Sequence, residues 1–384
     1  MSKALIEAAR RITSARRQHV EVLRIDCTGP GDLGRVRALI ESGDLVPAAI
    51  VAVMGKTEGN GCVNDHTREY AAAMWCQLLA PHLDCAPAEV ERRVALVMSG
   101  GTEGVLSPHF TVFTRRWVDG AATHGPKRLV IGTASTRDFA PEEIGRAAQV
   151  DATAQAVSAA MADAGITDVA DVHFVQVKCP LLTAAKINDA ISRGAPPVTR
   201  DTYESMGCSR GASALGVAVA LGEVAREEVT DAAVLTDTTL FSSRASASAG
   251  IELQGNVVIV LGEVAGAASP YRIAHTVMRD AIDAAAVRAL LRDAFGLDAD
   301  CDADDLSRQL VNLLAKAEAS PSGEVRGRRH TMLNDSDINA TRHARAVVGG
   351  VLASVVGHTA LFVSGGAEHQ GPPGGGPLAA ILRV

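Results

Sequence analysis

The chain has 384 residues, 47% hydrophobic but only 3% aromatic, so Val, Ile, Leu and Ala must fill a large core. Its net charge of −7 argues against a nucleic-acid partner, which favours a basic face, and suits a soluble protein with a small-molecule site. Seven cysteines, odd in number and without a CxxC pair, read as reduced cytoplasmic thiols and exclude a disulfide framework.

Residues 1–18 form an Ala-rich stretch with Arg10, Arg11, Arg16 and Arg17 and no secretory hydrophobic region. They read as an N-terminal helix or tail, with a transit peptide as the alternative. An apolar run at 19–25, a Pro30-Gly31-Asp32 turn, a helix at 33–40 and a strand at 49–54 then lead to Lys56. A second round follows: a strand at 128–131, a helix at 151–164 stopped by Gly165, and a strand at 172–177 reaching Lys178. The third runs from a strand at 271–277 through a helix at 284–294 to Lys316.

After each lysine comes a helix carrying a hydroxyl residue and an arginine: Thr67-Arg68, Ser209-Arg210 and Thr341-Arg342. A serine turn closes each round. The turns are Ser99-Gly100-Gly101-Thr102-Glu103, Ser248-Ala249-Gly250-Ile251-Glu252 and Ser364-Gly365-Gly366-Ala367-Glu368. The order Lys, Arg, Ser thus recurs three times. Segments 117–126 and 263–270, poor in apolar periodicity, mark the breaks. The expected organisation is a tail at 1–18 and three α+β units at 19–120, 126–264 and 270–384 around one centre. Such units are too long for a solenoid. The run at 347–362 lacks Asp, Glu, Lys and Arg, but Gly349, Gly350, Gly357 and His358 interrupt it. It reads as a buried helix and strand, and no membrane segment is expected.

A free lysine is protonated at neutral pH. Desolvation and neighbouring cations lower its pKa, and a neutral lysine can take the proton of a serine hydroxyl. Taken singly, Lys56, Lys178 and Lys316 read as surface lysines at strand ends; in three matched positions they read as parts of one site. Forked arginines suit carbonyl or carboxylate groups, and Ser-Gly turns add backbone donors. Three of each imply a flat ring with three carbonyls.

Other motifs fail. Val53-Met54-Gly55-Lys56-Thr57 mimics the end of a phosphate-binding loop, but Ile50 stands where glycine is needed. Gly207-Cys208-Ser209-Arg210-Gly211 has the spacing of a nucleophile elbow, but no buried strand precedes it. Cys179 beside Lys178 has no counterpart in the other units. No histidine spacing forms a zinc site. The Gly/Pro-rich stretch at 365–377 is either a surface loop or, with a carboxylate such as Glu318, a turn whose carbonyl oxygens suit a hard cation.

Several long strings resemble the cyanuric acid hydrolase/barbiturase family. They are Gly55-Lys56-Thr57-Glu58-Gly59-Asn60-Gly61, the Ser99 turn continued to His109, Lys178-Cys179-Pro180-Leu181-Leu182-Thr183, the segment 330–337, and 364–376. The likeness covers nearly the whole chain from about His19. It implies three similar units sharing a central β-barrel-like core with helices outside, in pseudo-threefold symmetry, and a homotetramer. It implies hydrolytic ring opening by Ser248 as nucleophile with Lys178 as its base, supported by Lys56 and Lys316. Arg68, Arg210, Arg342, Ser99, Gly100, Ala249, Ser364 and Gly365 match substrate-holding positions. Glu318, Ala367, Gln370, Gly371, Pro372 and Gly375 match a structural Mg2+ or Ca2+ site, and no organic cofactor is implied. Within the family, Lys178-Cys179-Pro180 and Ser209-Arg210-Gly211 look more like cyanuric acid hydrolases. The expected reaction opens cyanuric acid to carboxybiuret, which loses carbon dioxide to give biuret. The alternatives are a barbiturase opening barbiturate to ureidomalonate and a non-catalytic ring-binding protein.

Overall fold

The computed structural model describes residues 16–120, 125–298, 306 and 308–384. It is a mixed α+β fold built on three four-stranded sheets. The first holds β1 (Arg16–Asp26), β2 (Ile50–Thr57), β3 (Ala95–Gly100) and β4 (His109–Asp119). The second holds β5 (Lys127–Ser135), β6 (Val172–Cys179), β7 (Ala245–Ala249) and β8 (Val257–Ala265). The third holds β9 (Tyr271–Met278), β10 (Leu310–Ala317), β13 (Phe362–Gly365) and β14 (Gly376–Arg383). Between β10 and β13, β11 (Glu324–Val325) and β12 (Arg328–Arg329) form a small separate hairpin.

All three sheets have one strand order: first, fourth, second, third. In each, the second and third strands are parallel and the other pairs antiparallel. A register shift near the start of the second strand recurs as well, at Ile50/Ala52, Val172/Phe174 and Leu310/Asn312. A parallel pair needs a long crossover, and helices supply it. The first crossover contains α2 (His66–Leu79) and α3 (Pro87–Arg93), the second α5 (Ala184–Ser192) and α6 (Thr202–Ala220), the third α8 (Ala340–Val356). Asp65, Asp201 and Asn339 cap α2, α6 and α8 by accepting backbone N–H bonds. Helices α1 (Gly34–Glu41), α4 (Ala147–Ala164) and α7 (Ala284–Phe295) lie between the first and second strands of their sheets.

Successive strand residues point to opposite faces, so each sheet serves two cores. Ala52 and Met54 of β2, Phe174 of β6 and Leu314 of β10 meet in one cluster that joins all three sheets. The other faces pack on helices: Trp75 and Phe110 in the first, Val157 and Val177 in the second, Leu291 and Leu313 in the third.

The expected elements appear at their places, with one boundary corrected. Residues 16–18 belong to β1 rather than to a tail. Gln18 is buried, and its side-chain oxygen accepts the Ile131 N–H at 2.6 Å, tying the first sheet to the second. Arg10 and Arg11 lie outside the described residues. The apolar run at 347–362 is the end of α8 and the approach to β13. Among the described residues, no helix is long and apolar enough to cross a membrane.

Gly132 lets α4 sit directly on β5. A Cβ there would lie 2.0 Å from the Ala160 carbonyl oxygen. Gly132→Ala should lower unfolding stability by about 1–3 kcal/mol, as overpacking does, with a matching fall in the urea midpoint.

Candidate active site

The parallel strand pairs set the site. Lys56 stands opposite Ser99, Lys178 opposite Ser248 and Lys316 opposite Ser364, each as direct register partners. Ser246, two residues before Ser248, pairs with Gln176 instead. The lysines are buried, with 0%, 1% and 1% exposure, so they are not surface residues at strand ends. Past each serine the turn closes alike: the N–H groups of Gly101, Gly250 and Gly366 bond the carbonyls of Thr57, Cys179 and Ala317.

Each lysine also reaches another unit. Lys56 Nζ donates to the Val363 carbonyl at 2.7 Å, Lys178 Nζ to that of Met98 at 2.9 Å, and Lys316 Nζ to that of Ala247 at 2.8 Å. These acceptors are the residues just before Ser364, Ser99 and Ser248. The arginines run round the ring in the opposite sense. Arg345 pairs with Glu103 at 2.5 and 2.6 Å, and Arg210 with Glu368 at 2.6 and 2.8 Å. Arg68 faces Glu252, but at 3.9 Å.

One small cavity is lined by Arg68, Ser99, Gly100, Lys178, Arg210, Ser248, Ala249, Ser364 and Gly365. Gly61, Met206 and Arg345 complete it. Lys56 and Lys316 lie behind their serines, donating to Ser99 Oγ at 3.3 Å and Ser364 Oγ at 3.2 Å. Arg342 does not line the cavity. It is 40% exposed, whereas Arg345, three residues on, is 3% exposed and takes the inner position. Arg342 follows a hydroxyl residue and an Asx cap as Arg68 does, which made the two look equivalent. The third helix instead presents its next arginine inward. Both arginines were in plain view in the sequence, and only the placement of α8 chooses between them.

The three glutamates carried no role in the sequence reading, although each holds the same place in its serine turn. Burial opposes ionisation of Glu103 and Glu368, but Arg345 and Arg210 outweigh it and hold both carboxyls below the usual range. Burial pushes Lys56 and Lys316 well below the ordinary lysine value, with Arg345 and Arg210 adding to the effect. Lys178 is pulled down to about 8, by burial and by Arg68 against the opposing charge of Glu252. Cys179 is buried and its thiol pushed up, which suits a structural residue. The string 207–211 lies inside α6, so it is no nucleophile elbow.

The expected cation-site residues gather nearby but not in one lining. Glu318, Ala367 and Gly371 border a separate cavity of ≈ 240 Å³. The Gln370 side chain is committed elsewhere: it accepts the Ala247 N–H at 2.6 Å and donates to the Gly366 and Glu368 carbonyls. Pro372 accepts the Gly375 N–H through its carbonyl. The loop is largely buried, Gln370 wholly so, which rules out an ordinary surface loop.

Residues 21–383 match the family described as amidohydrolase ring-opening protein. The cyanuric acid amidohydrolase of Pseudomonas sp. (strain ADP) is 62% identical over 366 residues, covering 95% of this chain and 99% of that protein. A cyanuric acid amidohydrolase of Enterobacter cloacae is 53% identical over 367 residues, covering 95% and 99%. A solved structure described as cyanuric acid hydrolase, an evolutionary innovation by structural concatenation, superposes with a TM-score of 0.92 at 62% identity, covering 96% of this chain and 100% of that one. The cyanuric acid hydrolase of A. caulinodans gives 0.87 at 53% identity, covering 95% and 99%.

Removing one partner of a buried ion pair strands the other. Arg345→Ala should cost about 3–5 kcal/mol in urea unfolding. Arg342→Ala should cost no more than about 1 kcal/mol, because its 40% exposed side chain reaches Glu103 only at 3.5 Å.

Proposed function

Because the chain belongs to the ring-opening amidohydrolase family, we propose that it hydrolyses the ring of cyanuric acid to carboxybiuret, which decarboxylates to biuret. The relatives' names favour cyanuric acid over barbiturate. The observation that carries the reading is the single cavity on which three serines and three arginines converge, one of each from every sheet unit. A flat ring with three carbonyls and three N–H groups matches that arrangement. In this reading the sheets are three repeats, 19–120, 126–264 and 270–384, set round a pseudo-threefold axis in a barrel-like core. It also takes the enzyme to be a cytoplasmic homotetramer.

Ser248 is the nucleophile and Lys178 its base. Support comes from the hydroxyls. Those of Ser99 and Ser364 are held by lysines, while Ser248 Oγ has no hydrogen-bond partner among the described residues. Neutral Lys178 takes the Ser248 proton as Oγ bonds a ring carbonyl carbon. The resulting ammonium gives that proton to the ring nitrogen as the C–N bond breaks. Water then attacks the acyl-serine, passing a proton back through Lys178, and Ser248 is released. Arg68, Arg210 and Arg345, with Ser99, Ser364 and the Gly100, Ala249 and Gly365 backbone, grip the remaining ring groups. Arg345 takes here the role expected of Arg342.

A structural Mg2+ or Ca2+ belongs to the same reading. Burial pushes the Glu318 carboxyl up to about 7, and the charge of Glu368 adds to this. Its hydrogen-bond donor is the Gly374 N–H at 2.8 Å. No cluster of three His, Cys, Asp or Glu occurs among the described residues, so other ligands would be main-chain oxygens. A hard cation fits that donor set and would supply charge neutralisation for Glu318. Ala367, Gln370, Gly371, Pro372 and Gly375 would contribute their carbonyls.

Ser248→Ala should reduce turnover of cyanuric acid by at least about 10³-fold while ring binding persists in calorimetry. Full activity in that variant would sink the assignment. A chelator followed by dialysis should lower the melting temperature. Mg2+ or Ca2+ should restore it, and Glu318→Gln should no longer respond.

A further inference from the structure

The three Lys–Ser pairs share one register, so strand pairing does not explain why one of them should react. The side chains around the second pair break the pattern. Lys56 and Lys316 each donate to their own serine, whereas Lys178 does not and instead approaches Glu252 Oε1 at 3.4 Å. Glu103 and Glu368 are each gripped by two arginine nitrogens. Glu252 is not. Arg68 spends Nη2 on the Cys62 carbonyl at 2.9 Å, and both Arg68 Nε and Glu252 Oε2 are buried without a hydrogen bond.

The turn backbone differs too. Gly101 and Gly366 have φ of 105° and 77°, and a Cβ there would meet Arg345 and Arg210. Gly250 lies outside the left-handed region, and a Cβ on it would meet the Glu252 carboxylate itself at 2.4 Å. The carboxylate is thus folded back over its own turn, toward the lysine. On its other side Glu252 borders two clefts open to solvent, which Glu91 also lines.

We propose that Glu252 is the positioning residue that makes Lys178, alone of the three buried lysines, the proton-transfer group. It takes up an N–H of the Lys178 amine, so that the amine does not donate to Ser248 Oγ as Lys56 and Lys316 do to their serines and can accept the serine proton instead, and it stabilises the ammonium so formed. This rests on the proposed Ser248–Lys178 mechanism. Coulomb attraction sets the direction of the effect on Lys178. An ammonium beside a carboxylate is favoured, so Glu252 holds the Lys178 pKa above where burial alone would leave it. Lys56 and Lys316 lack such a carboxylate contact because their glutamates are occupied by arginines.

The charged groups facing this pair are few. Arg68 and Cys179 lie beside Lys178, and Arg68 also opposes Glu252. Glu69 and Glu91 line one cleft, and Glu91, Arg92 and Asp138 the other. Lys186 holds the neighbouring Leu253 carbonyl.

The test is the pH profile of kcat/KM for cyanuric acid in Glu252→Gln, Glu252→Asp and Glu103→Gln. A base must be neutral to act, so activity in the unaltered enzyme should rise with pH through about 8, the value Lys178 has here. Removing the Glu252 charge should move this acid limb about one pH unit lower. It should also cut kcat roughly 10- to 100-fold, with a smaller change in KM, because the amine loses its placement. Glu252→Asp, which keeps the charge, should recover part of both effects and serves if the glutamine variant does not fold. Glu103→Gln should lower activity without moving the limb. An unmoved limb in both Glu252 variants would overturn the inference. If Ser248→Ala remains active, the underlying mechanism fails instead, whatever Glu252 does.

Discussion

Burying an ammonium group is costly, by several kcal/mol per ion even after relaxation, unless hydrogen bonds and charges compensate. Among the described residues this protein buries three lysine amines, each on a strand end facing a serine turn, and burial pushes all three toward the neutral form. Their compensation is almost entirely main-chain carbonyl oxygen drawn from two different units. Lys56 bonds the Val363 carbonyl, Lys178 that of Met98 and Lys316 that of Ala247. A lysine is therefore satisfied only when a neighbouring unit is in place. The site and the association of the three sheets are one structural fact.

The arginine–glutamate contacts close the ring in the other sense. Arg345 reaches Glu103 and Arg210 reaches Glu368 across unit boundaries, while Arg68 faces Glu252 more loosely. These carboxylates stay ionised although buried, because guanidinium groups lie against two of them and a lysine against the third. The cavity consequently carries converging donors at every approach. A neutral, carbonyl-rich ring offers acceptors to all of them at once, which is the physical basis of the cyanuric acid reading.

The second Lys–Ser pair departs from the repeated pattern, and the proposed mechanism rests on that departure. Where lysine holds serine, the hydroxyl is occupied, as at Ser99 and Ser364. Where glutamate draws the lysine aside, the hydroxyl of Ser248 stands free. Deep burial, with a nearby arginine adding to it, lowers all three lysines. Only the second has its glutamate within 4 Å, and that carboxylate opposes the lowering, leaving Lys178 at about 8.

The repeated strings, the alternating strands and the capped helices were legible in the sequence because each depends on neighbours a few residues apart. Hydrophobic periodicity located the strands leading to Lys56, Lys178 and Lys316, and Gly165 marked the end of α4 through its left-handed backbone. The family likeness pointed to Ser248. What the sequence could not rank were contacts between residues hundreds of positions apart. Arg342 and Arg345 both follow the cap at Asn339, and their choice depends on how α8 lies against the first sheet unit's Glu103. The role of the glutamates and the exception at Glu252 arise only when three turns meet at one cavity. Sequence by itself determined the elements and the inventory of Lys, Arg and Ser. Tertiary structure decided which side chains meet and which hydroxyl stays unpaired, because burial and long-range hydrogen bonds exist only once the three sheets pack together.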